Sequence, residues 1–509
     1  MSKQQKKTVS VACEQARQAF TLLSGLAPGE RAGLLDALAA ALDARRDEIL
    51  KTCADETALT IEELTPEFAR MTGTLRMFAA LAREGSWVRA AVDTKQTQGL
   101  VGPNHDIRSM LVPLGPVAVF GSSNFPLAYG VCGGDTASAL AAGCPVVVKE
   151  HPAHPRTGRL LAEIARDAAK GAGFDGELVG YVFNEDPRDY SVAGALVRDA
   201  AIAAVGFTGS VSGGLALEKI ARERRVPIPV FAEMGSSNIV VVTRSAAAER
   251  GVEIMREIAA SMLVRVGQQC TNTGLVLIDR AGVPRAEAKS DRLVEALRDA
   301  LLSGGARRML TESVARTYSD RIDDIAAGEP HECRVLRGAA GSRGPVLVHT
   351  DLAELSEPRY RDEIFGPACI VVHGDLDDDR TLNELLFGLN EDRQWGQLVS
   401  CVYLSSSDDP QGRFAAAIMQ RVCGRLVVNG VPTGVRVATG MVHGGPFPAT
   451  NVPHTTAVGP RAIERWCRPV CWQNCPDGLL PEELRDGNPR GVMRVVDGVW
   501  TREGISRPR

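Results

Sequence analysis

Pro145-Val146-Val147-Val148-Lys149 is an unbroken apolar run closed by a lysine. A helical pattern follows over Thr157 to Lys170, read as capped by Thr157, and then a second strand-like run over Glu177 to Asn184. Apolar runs without alternation predict strands covered on both faces. Strand, helix and strand in this order predict a βαβ crossover, hence a parallel sheet and an α/β fold. A second series begins after Glu233, with helices expected over 252–266 and 290–303 and a strand at Pro367 to Val372. It predicts another α/β unit over about 236–440, and 509 residues suffice for more than one core.

Ahead of these units, Ala16, Phe20, Leu23, Leu34, Leu35, Leu38 and Leu42 recur at helical spacing, and residues 57–85 continue in that style as scaffold helices. The pattern loosens between Gly85 and Asp106, Gly and Pro become frequent over 430–460, and a short strand is expected at Val492 to Val496. Hydrophobic content of 44%, charged content of 24% and a formal charge of -4, without a basic block, give no reason to expect nucleic acid. Nothing approaches the roughly 20 apolar residues that cross a bilayer. The basic start lacks an apolar h-region, so no membrane partner and a cytoplasmic location are expected. Twelve cysteines are too dispersed for a disulfide scaffold, and Cys144 and Cys369 sit in apolar, packing contexts. Cys467, Cys471 and Cys475 are spaced by four, but Pro469 and Pro476 argue against a helix, and no histidine completes a zinc pattern. No metal is expected.

Chemistry concentrates in three places. Gly267-Gln268-Gln269-Cys270-Thr271-Asn272-Thr273-Gly274 holds a lone cysteine in a small polar turn before the apolar run Leu275 to Ile278, the setting of an exposed nucleophilic thiol. Val226 to Gly235 closes another apolar run on Glu233, a placement suited to a general base. Val117 to Pro126 leaves the Asn124 amide at a strand end, where it could donate to an oxyanion.

Together with the strand ending in Lys149, the Phe207-Thr208-Gly209-Ser210 loop and Glu363-Ile364-Phe365-Gly366-Pro367, these segments resemble the aldehyde dehydrogenase superfamily, in family order from about Gln15 to about Cys475. The resemblance implies oxidation of an aldehyde to an acid with a nicotinamide cofactor. It also implies two doubly wound α/β domains plus a small β oligomerisation arm. On that pattern residues 1–235 form a dinucleotide-binding domain, interrupted by an arm hairpin at about 95–115. Residues 236–440 form a catalytic domain carrying the nucleophilic cysteine, and 455–509 contribute to an arm joining a homodimer or homotetramer.

A literal Gly-x-Gly-x-x-Gly at Gly171 to Gly176 follows a helix and precedes a strand, the reverse of a dinucleotide fingerprint, and reads as a helix C-cap and loop. Ala204 to Gly214, a strand end and small residues before a helix expected near Leu215, is the better pyrophosphate cradle, with Thr208, Gly209 and Ser210 at its centre. By resemblance, Ser122 belongs to the cofactor site and Lys149 contacts the adenosine ribose or its phosphate. Glu363 holds the nicotinamide ribose with Phe365 packed near the ring, and Gly235 admits the nicotinamide. Pro152 stands where NAD-preferring members often carry glutamate, so NADP, with NAD as the alternative, is the expected cofactor, helped by Arg156 or Arg188.

The resemblance assigns Cys270 as nucleophile, Asn124 and the Cys270 N–H as oxyanion donors, and Glu233 as base for thioester hydrolysis. Motifs at 121–128, 133–144, 149–155 and 443–450 look closest to 2,5-dioxovalerate (α-ketoglutarate semialdehyde) dehydrogenases, and NADP-dependent fatty aldehyde dehydrogenases share part of them. Met234, Ser236 and Ser237 depart from the commoner Leu, Gly and Lys. A distal carboxylate calls for a cation, for which Arg70 and Arg436 are candidates, each also readable as a surface or packing arginine. His151, His154 and His443 are read as structural. Two alternatives are weighed: a CoA-acylating relative, which would need no water-activating base, and a non-catalytic relative, expected to lack Cys270 or Glu233.

Overall fold

A computed structural model describes residues 1–97, 101–174, 176–184, 186, 189–279, 292–305, 307–327, 334–337, 344–350, 352–387 and 395–505. The first α/β sheet has five parallel strands in the order Val179–Val182, Val146–Lys149, Val117–Phe120, Ala204–Thr208, Val230–Glu233. Val117–Phe120 is buried along its whole length and lies at the centre, where chain order reverses, so the crevice at its carboxyl end is a topological switch point. Register sets Phe120 opposite both Lys149 and Phe207, and Thr208 opposite Glu233. Helices Lys3–Gly25, Pro28–Ala44, Arg46–Glu56 and Ile61–Glu84 precede the sheet, and the leucines read as periodic, among them Leu35, Leu38 and Leu42, lie in its core.

Two helix starts differ from expectation. The crossover helix runs Pro155–Gly171, with proline in its first turn, so Thr157 is inside the helix and not its cap. Glu56 supplies the cap from outside, accepting from the Arg156 and Thr157 N–H groups at 2.6 and 2.7 Å and from Thr157 Oγ1 at 2.7 Å. The next helix, Val211–Arg222, begins four residues before Leu215, because Ser210 Oγ accepts from Gly213 N at 3.2 Å and caps it. Gly171 closes the crossover helix and Gly173 takes a left-handed φ of 79°, a helix end and turn between helix and strand.

The second sheet has seven strands in the order Arg334–Arg337, Val346–His349, Ala368–Gly374, Leu275–Asp279, Ile239–Val242, Gln397–Tyr403, Cys423–Val428, all parallel except the first pair. Helix Arg244–Leu263 starts earlier than 252 because Thr243 caps it, and it stops at Leu263 instead of reaching 266. Arg265 and Val266 there adopt left-handed φ of 53° and 58°, a conformation that is an outlier for a β-branched residue and stores strain next to Cys270. The helix expected over 290–303 is seen as Arg292–Leu302, its first two residues lying outside the described ones.

A third sheet joins Cys467–Gln473, Ile107–Pro113, Ala91–Asp93, Arg494–Val496 and Val499–Thr501. Cys467 and Cys471 sit on its edge strand, which is where Pro469 is tolerated. Strand rise puts their backbones about 13 Å apart, too far to share one metal ion. Cys144 and Cys369 are buried, and every described cysteine is a free thiol. Among the described residues no helix is long and apolar enough to cross a membrane.

Candidate active site

The carboxyl edge of the first sheet faces the amino edge of the second. Glu233 ends the Val230–Glu233 strand and Asn124 follows Val117–Phe120, whereas Cys270 precedes Leu275–Asp279 and Asn238 precedes Ile239–Val242. The cysteine turn is pinned from beneath. Asn238, itself at φ 46°, donates from Nδ2 to the carbonyls of Cys270 and Asn272, both at 2.8 Å, and Gly274 N donates to Ser237 O at 2.7 Å. Ser236 and Ser237 serve this turn, donating to Asn238 Oδ1 and to Arg361 O, both at 2.8 Å. Gly267 has φ 65°, and a Cβ there would lie 2.3 Å from the Gly366 carbonyl oxygen, so only glycine fits.

Cys270 is partly exposed, and its Sγ lies 3.6 Å from His443 Nε2. His443 Nδ1 in turn lies 2.6 Å from Glu233 Oε1. His443 and Glu233 are each 4% exposed. The imidazole–carboxylate contact is an ion pair without the alignment of a hydrogen bond, so both Glu233 oxygens accept no hydrogen bond among the described residues. Burial opposes charge on His443, but the Glu233 carboxylate and the Cys270 sulfur outweigh it and raise its pKa to about 10. This overturns the reading of His443 as structural. The sequence signal was a histidine set among Gly444, Gly445 and Pro446, where little side-chain packing could explain it. Strand-like pairing of Glu233 with Thr450, and the Met234 N to Ala449 O bond at 2.8 Å, bring its segment alongside the base.

Sulfur, imidazole and carboxylate stand in sequence at contact distance, an order of groups able to pass a proton. Their ligand atoms lie within 4.8 Å of one another, near enough for a metal ion as well, so the order of contacts and not closeness gives the chemistry. Asn124 is buried and donates from Nδ2 to Gln268 O at 3.1 Å, which fixes the amide and leaves its second proton to spend. A buried network holds the two loops together. Glu67 accepts from Leu127 N and Ala128 N at 2.8 and 3.0 Å and pairs with Arg265 at 2.8 Å, while Arg265 donates to Asn124 O at 2.8 Å. Neither Glu67 nor Arg265 was read from sequence. A cavity of about 610 Å³ opens onto Cys270 and His443, lined also by Phe125, Tyr129, Val435 and Arg70. Arg436 is exposed and is not among its lining residues.

The expected cofactor residues gather at the same crevice. Ser122 is buried beyond the Val117–Phe120 strand, and His154 Nε2 meets its carbonyl at 3.0 Å. Lys149 ends its strand half-buried with no partner among the described residues, and burial pushes its pKa down. Gly209 N donates to Glu233 O at 3.0 Å, which ties the Thr208–Ser210 loop to the strand that ends in Glu233. A Cβ on Gly235 would stand 2.9 Å from Glu363 Oε2 and 3.3 Å from Val211 Cγ2, so the Glu363 carboxylate closes over bare backbone. Burial drives Glu363 up to about 8, partly offset by the Ser236 N–H, and Phe365 packs partly against the first core. A lysine without an ion-pair partner among the described residues, a helix start of small residues and a glycine-floored carboxylate suit a dinucleotide laid across the switch point. Arg156 is less available than expected, since its guanidinium pairs with Glu56 at 3.4 Å, and Arg188 lies outside the described residues.

The family model described as "Aldehyde dehydrogenase family" matches residues 1–392. Alpha-ketoglutaric semialdehyde dehydrogenase 2 of Azospirillum brasilense is 41% identical over 501 residues, covering 96% of this chain and 91% of that protein. Alpha-ketoglutaric semialdehyde dehydrogenase of Acinetobacter baylyi is 38% identical over 499 residues, covering 97% and 91%. Among solved structures, the aldehyde dehydrogenase KauB of Pseudomonas aeruginosa superposes with a TM-score of 0.74 at 19% identity, covering 92% of this chain and 89% of that one, a likeness of fold. With two such relatives and the family model spanning most of its length, the chain belongs to the aldehyde dehydrogenase family, oxidoreductases that act on aldehydes with NAD or NADP.

Proposed function

We propose that this enzyme oxidises α-ketoglutarate semialdehyde (2,5-dioxopentanoate) to 2-oxoglutarate, with NADP preferred over NAD. The observation that carries the chemistry is the Cys270, His443 and Glu233 relay at the cavity, and the two semialdehyde dehydrogenase relatives support the substrate. The His443 imidazolium, paired with Glu233, holds the proton that came from Cys270 while the sulfur bonds to the aldehyde carbon. The free Asn124 amide proton and the Cys270 N–H hold the oxyanion. Bound nicotinamide supplies the acceptor for the hydride that leaves this carbon, and the substrate is then a thioester on Cys270. Glu233, whose oxygens accept nothing from the protein in hydrogen-bond geometry, takes a proton from the attacking water. The C–S bond breaks to release the acid, and the sulfur returns to its place beside His443.

Thr208, Gly209 and Ser210 cradle the pyrophosphate, Ser122 and Gly235 shape the crevice, Glu363 holds the nicotinamide ribose and Phe365 flanks the ring. Lys149 binds the 2'-phosphate, with Pro152 in place of a repelling carboxylate. In this arrangement residues 1–235 bind the dinucleotide and 236–440 carry the nucleophile. The third sheet joins subunits into a dimer or tetramer through its outer strand, where Val499 and Trp500 are exposed. The test is a panel of semialdehydes and alkyl aldehydes assayed with both cofactors, with and without CoA. Highest kcat/KM for the α-keto semialdehyde with NADP, free acid as product, and an NADP-specific loss of about tenfold or more in Lys149→Met are expected. Preference for alkyl aldehydes, for NAD, or for acyl-CoA formation overturns the corresponding part.

A further inference from the structure

The helix Ile61–Glu84 turns one face, Glu63, Glu67 and Arg70, into the cavity that opens on Cys270. Both carboxylates there are already neutralised. Arg307 takes the two Glu63 oxygens at 3.0 and 2.9 Å, and Arg265 pairs with Glu67 at 2.8 Å. Arg265 has little left to offer, since it also donates to Asn124 O at 2.8 Å and Glu63 O at 2.7 Å and lies 4.3 Å over the Phe125 ring. Arg70 differs. One of its five N–H donors goes to the Tyr129 hydroxyl at 3.0 Å, and among the described residues it has no carboxylate partner. Much of the wall around it is apolar, including Pro66, Phe125, Val264, Val435 and Val437. A partly buried guanidinium with unspent donors, lining the same cavity as the Cys270 sulfur, is stabilised by an anion that arrives with the substrate. Tyr129 fixes the guanidinium and also packs edge-on to His443, with ring centroids 6.4 Å apart, so one ring contacts both residues.

We propose that Arg70 receives the distal carboxylate of the semialdehyde and sets the preference for it over uncharged aldehydes; this rests on the functional reading above. The readout is the ratio of kcat/KM for α-ketoglutarate semialdehyde to kcat/KM for pentanal, in wild type, Arg70→Met and Arg70→Lys. The ratio is expected to fall about 100-fold in Arg70→Met, chiefly through KM for the semialdehyde, and about tenfold in Arg70→Lys, which keeps charge but loses the planar fork. Inhibition by the product 2-oxoglutarate weakens in parallel. A high wild-type ratio that Arg70→Met preserves, even if both efficiencies drop, overturns the role of Arg70 alone. A wild-type ratio near one overturns it together with the proposed substrate. If Arg70→Met does not fold, Arg70→Lys decides, and an unchanged ratio in that variant is the refuting result.

Discussion

Replacing His443 with asparagine removes the imidazole between the sulfur and Glu233. Its pKa stands at about 10 against an ordinary 6.5, although burial alone acts in the opposite direction. That difference corresponds to about 5 kcal/mol of net attraction for the imidazolium, at 1.36 kcal/mol per pKa unit. Two groups supply it, Glu233 at 2.6 Å and the sulfur at 3.6 Å. Losing the imidazole leaves the Cys270 proton without its acceptor, and acylation should fall about 100-fold, within the usual range for a missing general base. Iodoacetamide alkylation of Cys270, followed by mass spectrometry, should slow by that factor, and so should the pre-steady-state burst of reduced cofactor. The sign of the pH dependence follows from a raised pKa. The ion pair is present below the folded value and is lost as pH rises through about 10, so the advantage of wild type over the variant in alkylation rate should persist to about pH 9 and shrink above about 10. A variant alkylated within threefold of the wild-type rate at pH 7 would refute the relay.

Glu233→Gln should still give a burst of about one reduced cofactor per site, followed by turnover slowed about 100- to 1,000-fold, because acylation comes before the water step; a variant with no burst contradicts that order. Glu67→Gln leaves Arg265 charged and buried beneath the Asn124 loop, and urea unfolding should show a loss of about 3–5 kcal/mol. A loss below about 1 kcal/mol would mean that the pair contributes nothing beyond its solvation cost.

The parts of the fold written in local chemistry were readable. The apolar runs at 146–148 and 368–372 are covered on both faces, and parallel strands follow from them. Helix boundaries were less legible where the cap comes from far along the chain. Glu56 caps the helix at Pro155 from about a hundred residues away, and no window around Thr157 contains it. The active site divides the same way. Cys270, Glu233 and Asn124 each sit at the end of an apolar run, so their exposure to a crevice could be expected from position alone. His443 could not be placed so, since its meaning depends on the chain bringing it to a sulfur 173 positions earlier. Arg70 and Arg436 looked alike as letters, and only the direction of a helix face separated them.

Cys270 lies on the rim of one sheet, Asn124 and Glu233 on the rim of the other, and His443 on a segment that follows both. Neither layer of strands therefore owns a working site. A chain with only one of them assembled would carry a thiol lacking both the imidazole and the Asn124 amide. The full set of groups is brought together only where the segment carrying His443 meets both rims.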